Sequence, residues 1–184
     1  AYQNYVLFDG SGNPVDEQYM LAHELTHMYM WNVFGVPSST MISEGAAVYT
    51  GTSLIAGEGQ LALDMFCAAH LQAGALPWVS SSLSYQGHNF DLENYYAAGC
   101  FVGYLVRTYG AESVGQVYPT SDYYAVYGKT LAALEEDWRA YLAQNVSLEG
   151  VDSQTYVDLT SEITATYERF FSVFDGTQQY VEAY

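Results

Sequence analysis

The feature that most constrains this 184-residue chain is the segment 23–27, which reads His-Glu-Leu-Thr-His. The surrounding residues predict a helix, and positions four apart on a helix lie one above the other on the same face. The imidazoles of His23 and His27 can therefore both reach one zinc ion. Glu24 follows the first histidine, which places it to act as a general base on a metal-bound water.

A third candidate ligand lies in a second predicted helix. Residues 34–39, Phe-Gly-Val-Pro-Ser-Ser, predict a break after the first helix, and Ser38 or Ser39 is expected to cap the next one. Glu44 lies in the first turns of that helix, and the small residues 45–47 are expected to let it approach the first helix closely. Two histidines and one glutamate leave the fourth zinc position open for water, as a catalytic site requires.

These segments resemble the gluzincins, zinc peptidases that include thermolysin and the aminopeptidase N family, and most closely the thermolysin-like peptidase MA domains. The resemblance rests on the motif at 23–27 and on residues 43–49, Ser-Glu-Gly-Ala-Ala-Val-Tyr, with weaker support from residues 95–110 and 134–142. It implies a mainly α, zincin-like α+β fold, in which the motif helix packs against the glutamate-bearing helix. It also implies one zinc ion per chain, held by His23, His27 and Glu44.

The resemblance further implies a catalytic tyrosine. In the aminopeptidase branch, a tyrosine three residues before a glycine helps to stabilise the oxyanion, and Tyr96 stands three residues before Gly99. A phenol can donate a hydrogen bond to an oxygen that becomes negative during attack on a carbonyl. The family's intervening lysine is absent, since Ala97 and Ala98 fill the gap, and Tyr95 is the alternative.

Two departures from the family pattern limit the prediction. The 22 residues before His23 contain no match to the amine-binding segment of the aminopeptidases, and we expect further sequence upstream of Ala1. Val48 stands where thermolysin has an acid that supports a zinc-bound histidine. The groups that orient His23 and His27 are therefore not predicted.

The chain length predicts one domain, residues 1–184. Within it we expect a remnant of an N-terminal β portion (1–15, with a strand candidate at 5–8), a helical catalytic core (16–144) and a C-terminal helical extension (145–184). Helices are predicted from Asp16, which is expected to cap the first, to Gly35, and then over 40–55, 60–73, 91–110, 131–144 and 153–174, with shorter helices up to 127. Apolar residues around nearly the whole first helix predict that it is buried.

Four other residues have side chains that can bind a metal or react. Cys67 and Cys100 form either one bridge between helices or two buried thiols, and neither is expected to bind zinc. His70 is predicted to be a packed or surface residue. His88 lies in a long loop, residues 74–90, which is expected to border the substrate cleft, and His88 is a weaker candidate for contacting substrate.

The net charge of −17, with only four lysines and arginines, restricts the partners. Phosphate binding needs clustered cations, so a nucleic acid is not expected, and an anionic membrane surface is disfavoured for the same reason. No apolar run is long enough to span a bilayer. Composition favours a secreted or cell-surface protein, and residues 1–184 are not expected to include its signal peptide.

The sequence therefore predicts a zinc metallopeptidase that acts on a peptide or protein substrate. His23, His27 and Glu44 bind zinc, Glu24 is the general base and Tyr96 is the candidate oxyanion ligand. Two alternatives stay open: a non-catalytic, zinc-containing surface binding module on the same scaffold, and a metallohydrolase that cleaves a non-peptide bond.

Overall fold

The computed structural model describes residues 14–54, 59–81, 92–150, 152–154 and 157. Within these ranges it contains seven helices and no strand, which confirms the prediction of a mainly helical chain. The helices are α1 (Pro14–Phe34), α2 (Thr40–Leu54), α3 (Gly59–Gln72), α4 (Leu92–Tyr109), α5 (Ala111–Val117), α6 (Tyr123–Tyr127) and α7 (Leu131–Asn145). The predicted strand at 5–8 and most of the predicted last helix lie outside the described residues. None of the described helices is long and apolar enough to cross a membrane.

The ends of these helices agree with the sequence to within three residues. α1 begins at Pro14, whereas a cap at Asp16 would make residue 17 the first helical residue, so the predicted start was three residues late. Ser39 caps α2, because its Oγ accepts a hydrogen bond from the Ile42 amide at 3.4 Å. Ser38, the other predicted cap, instead donates to the carbonyl oxygen of Tyr118 at 2.8 Å.

Helix α2 lies between α1 and α4, and glycines set its distance from α4. A Cβ atom at Gly45 would lie 2.7 Å from the Ala98 carbonyl oxygen, and one at Gly99 would overlap the side chain of Val48. The prediction that the small residue at 45 serves the contact with α1 was therefore wrong. Gly51 is the glycine that faces α1, where an added Cβ would lie 2.8 Å from the ring of Tyr19.

Helix α1 is a surface helix, which corrects the prediction that it is buried. Leu21, Leu25 and Tyr29, spaced four residues apart, are 37%, 48% and 61% exposed. His23 and Met30 are buried on the other side of the helix. Because apolar residues occur on nearly all sides of α1, the sequence alone could not show which side of the helix packs against the core.

The core continues through α3, α4 and α7. Trp138 of α7 is fully buried and meets the ring of Phe101 edge-on, with 5.5 Å between ring centroids. Cys67 and Cys100 are buried free thiols, the second of the two predicted alternatives. The Cys100 thiol donates to Asp64 Oδ1 at 3.3 Å.

The start of the loop after α3 is fixed to α7. Glu135, fully buried, accepts hydrogen bonds from the amides of Val79 at 2.7 Å and Ser80 at 3.1 Å. Arg139, one turn later, donates to the carbonyl of Pro77 at 2.7 Å. Residues 82–91, which include most of the predicted cleft-bordering loop with His88, lie outside the described part of the chain.

Candidate metal centre

Helices α1 and α2 bring together the three side chains that the sequence predicts as metal ligands. Nε2 of His23 lies 3.2 Å from Nε2 of His27. Oε2 of Glu44 lies 3.3 Å from the first of these nitrogens and 3.4 Å from the second. Among the described residues, this is the only group of three or more His, Cys, Asp or Glu side chains with the spacing of a metal site.

The spacing of these three atoms fits a tetrahedral metal ion. With zinc–ligand bonds of about 2.0–2.1 Å, two corners of a tetrahedron are about 3.3 Å apart. The three observed separations, 3.2 to 3.4 Å, match this value. Two imidazoles and one carboxylate are also a donor set that zinc accepts, and they leave one corner of the tetrahedron for another ligand.

The charges at the site favour a cation. Burial alone would raise the pKa of Glu44, but hydrogen bonds from His23 and His27 and their charges lower it to about 2. Burial lowers the pKa of His27, yet the hydrogen bond and charge of Glu44, with the charge of Glu24, raise it overall. The carboxylate of Glu44 is thus held ionised beside the imidazoles of His23 and His27. A metal ion bound there would replace the proton that the carboxylate and the imidazoles share.

Two residues that sequence reasoning missed support the second histidine. Ser43 Oγ lies 3.2 Å from Nδ1 of His27, the ring nitrogen on the far side from Glu44. Ser43 Oγ also lies 3.4 Å from the hydroxyl of Tyr118, which is buried at the end of α5. Ser43 could have been found from the sequence, because it directly precedes Glu44. No pattern in the sequence connects Tyr118 with the site.

The hydrogen bonding of His23 differs from that of His27. Nδ1 of His23 is buried and has no hydrogen-bond partner within the described part of the chain. Its ring instead packs at a tilt against Tyr19, with 5.9 Å between centroids.

Glu24 lies beside the metal ligands without joining them. Its side chain is half-buried, and its negative charge contributes to the raised pKa values of both His27 and Tyr95. It is not among the three residues with metal-site spacing. A carboxylate that is close enough to act on His27 and is not itself a candidate ligand could accept a proton from a metal-bound water.

The two tyrosine candidates face different neighbours. Burial, followed by the negative charges of Glu44 and Glu24, raises the pKa of Tyr95 to about 12. The ring of Tyr96 packs edge-on against Phe66 of α3, with 4.9 Å between centroids. The negative charges of Glu44 and Glu24 thus act on Tyr95, the alternative in the sequence prediction.

The remaining histidine of the described chain has a packing role. His70 is 2% exposed, its Nδ1 donates to the Phe66 carbonyl at 2.9 Å, and its ring stacks on Phe66 at 4.0 Å between centroids.

Comparison of this chain with protein-family models, with curated proteins and with solved structures finds no match. The resemblance to the gluzincins therefore rests on the motif residues themselves.

Proposed function

We propose that this chain is a zinc-dependent peptidase of the gluzincin type, with a zincin-like arrangement of α1 and α2. The observation that carries the proposal is the spacing of three candidate ligand atoms, 3.2 to 3.4 Å apart. Glu24 adds a negative charge that acts on His27. His23, His27 and Glu44 would hold one zinc ion, which when bound supplies Lewis acidity to the carbonyl under attack and to the attacking water.

The protein's own groups supply the proton transfers. Glu24 accepts the proton of the attacking water and later gives it to the leaving amine. The phenol of Tyr95 is protonated at neutral pH, as any tyrosine with an ordinary or raised pKa is, so it can donate a hydrogen bond to the carbonyl oxygen as negative charge develops there. The substrate we propose is a peptide or protein encountered outside the cell. The low lysine content and the high Tyr, Ser, Thr and Gly content favour a secreted or surface protein, and a net charge of −17 disfavours anionic ligands.

The decisive variant is Glu24→Gln, which keeps the shape of the side chain but removes its ability to take a proton. We expect it to bind about one zinc per chain and to lose about 10²- to 10⁴-fold in peptide hydrolysis. Glu112→Gln, an exposed change on α5, is the matched control and should retain full activity.

Metal analysis tests the ligands separately from the base. His23→Ala and Glu44→Ala are each expected to lose zinc, and full zinc content in either variant would remove that residue from the ligand set. Equal hydrolysis by wild type and Glu24→Gln would show that Glu24 is not the base. A wild-type protein that binds zinc and cleaves no peptide library would support the non-catalytic binding module instead.

A further inference from the structure

A chain of buried polar contacts connects the metal centre to the end of α5. It begins at Nδ1 of His27, passes through Ser43 Oγ at 3.2 Å and reaches the hydroxyl of Tyr118 at 3.4 Å. Ser43 is 9% exposed and Tyr118 is 1% exposed, so water has little access to either hydroxyl. Buried polar groups of this kind are costly unless they are paired with one another.

The chemistry of the three groups makes the Ser43 oxygen a common hydrogen-bond acceptor. If Nε2 of His27 binds the metal, Nδ1 carries the proton and donates it to Ser43 Oγ. A serine oxygen has two lone pairs, so the Tyr118 hydroxyl can donate to the same atom. Burial raises the pKa of Tyr118, and the phenol therefore stays protonated as a donor at neutral pH.

Tyr118 is itself held in place by the connection between the two ligand helices. Its carbonyl oxygen accepts hydrogen bonds from the amide of Ser38 at 2.9 Å and from the hydroxyl of Ser38 at 2.8 Å. The Ser38 hydroxyl also lies 2.6 Å from that of Ser121, which has a left-handed φ of 52°. Nearby on α5, Gly115 packs against the ring of Phe34 at the end of α1.

We propose that Ser43 and Tyr118 are positioning residues for the metal centre: Tyr118 fixes the Ser43 hydroxyl, and Ser43 fixes the ring of His27. This inference rests on the proposed function, because it assumes that His27 is a zinc ligand. A fixed imidazole gives up less rotational freedom when it binds the ion, and a hydrogen-bond acceptor on Nδ1 makes Nε2 a better ligand.

The test is zinc affinity, measured by competition with a chromophoric chelator. Loss of the acceptor in Ser43→Ala should weaken zinc binding about 10- to 100-fold. Tyr118→Phe should weaken it less, by about three- to tenfold, because its contact is longer and indirect. The double variant should bind zinc no more weakly than Ser43→Ala alone, since Tyr118 acts through Ser43.

Two matched controls separate this role from general packing. Ser53→Ala removes an exposed hydroxyl of α2 that donates to its own helix at Tyr49, and it should bind zinc like wild type. Tyr123→Phe removes a buried phenol hydroxyl that has no hydrogen-bond partner among the described residues, and it too should leave zinc affinity unchanged. Ser43→Thr keeps the hydroxyl and should restore most of the affinity lost in Ser43→Ala.

Each outcome decides one claim. Wild-type protein that binds no zinc would refute the proposed metal site and this inference with it. Wild-type binding with equal affinity in Ser43→Ala would refute the inference alone. Losses that multiply in the double variant would show that Tyr118 acts independently of Ser43. If Ser43→Ala does not fold, as judged by circular dichroism of the metal-free protein, the comparison of Tyr118→Phe with Tyr123→Phe still decides the role of Tyr118.

Discussion

Neighbouring residues on α4 meet different parts of the protein. Tyr95 and Tyr96 are separated by about 100° around the helix axis, so they cannot point at the same site. The charges of Glu44 and Glu24 reach Tyr95, while Tyr96 packs against Phe66. Which of the two phenols serves the metal centre thus depends on the rotation of α4 about its own axis.

Tyr95→Phe is predicted to lower peptide turnover by about 100-fold while zinc content stays unchanged, because one donor to the developing oxyanion is lost. Tyr96→Phe is its matched control and should leave turnover within about twofold of wild type. Both are assayed on one peptide at saturating substrate. A loss in Tyr96→Phe with none in Tyr95→Phe would restore the assignment that the family resemblance implies.

At the scale of elements, the candidate metal centre lies where three helices pack at short range. α1 carries two of the candidate ligands, α2 carries the third, and α4 contacts α2 from the opposite side. Gly45 and Gly99 make that last contact close, because each meets atoms of the other helix where a side chain would begin. A larger residue at either position must push α4, and Tyr95 with it, away from Glu44.

Gly99→Ala is predicted to destabilise the protein by about 1–3 kcal/mol through overpacking against Val48. At a helix position with open space around the glycine, the same change would raise the stability of the protein by up to about 1 kcal/mol. The sign of the change in stability therefore distinguishes a close contact at Gly99 from open space. Urea unfolding monitored by circular dichroism measures it. A more stable Gly99→Ala variant would show that α2 and α4 are not in close contact at this position.

At the scale of the whole molecule, α7 joins parts of the chain that are distant in sequence. Glu135 satisfies two amides of the loop after α3, and the guanidinium of Arg139 lies 3.8 Å from the ring centroid of Trp78 above the same loop. Glu135 and Arg139 also form an ion pair at 3.5 Å. The carboxylate is therefore compensated on both sides, by backbone amides and by a cation.

Glu135→Ala is predicted to cost about 3–5 kcal/mol of stability, because it leaves Arg139 without its carboxylate and removes the Glu135 oxygens that accept from the amides of Val79 and Ser80. Thermal unfolding of the metal-free protein measures the loss. Asp137→Ala on the same helix breaks only an exposed pair with Lys129 and should change the melting temperature very little. Equal melting temperatures for the two variants would contradict this account of α7.

Several features of this protein follow from the sequence alone, and all of them are local. Two histidines four residues apart on a helix must share a face, so the pairing of His23 with His27 follows from helix geometry. Helix bounds follow from apolar periodicity, glycines and caps, which act within a few residues. Glu44 was predicted as the third ligand from the motif and from its spacing after it, and the short break at 34–39 lets α2 fold back on α1.

Tertiary structure alone decided the features that depend on how one helix is rotated and packed against another. Sequence periodicity could not show that α1 exposes Leu25, that the charges of Glu44 and Glu24 act on Tyr95, or that Glu135 accepts from Val79. Nor could it connect Ser43 to Tyr118, which is 75 residues away. These contacts are set by the sum of many small packing interactions between distant segments, and no single residue pattern encodes that sum.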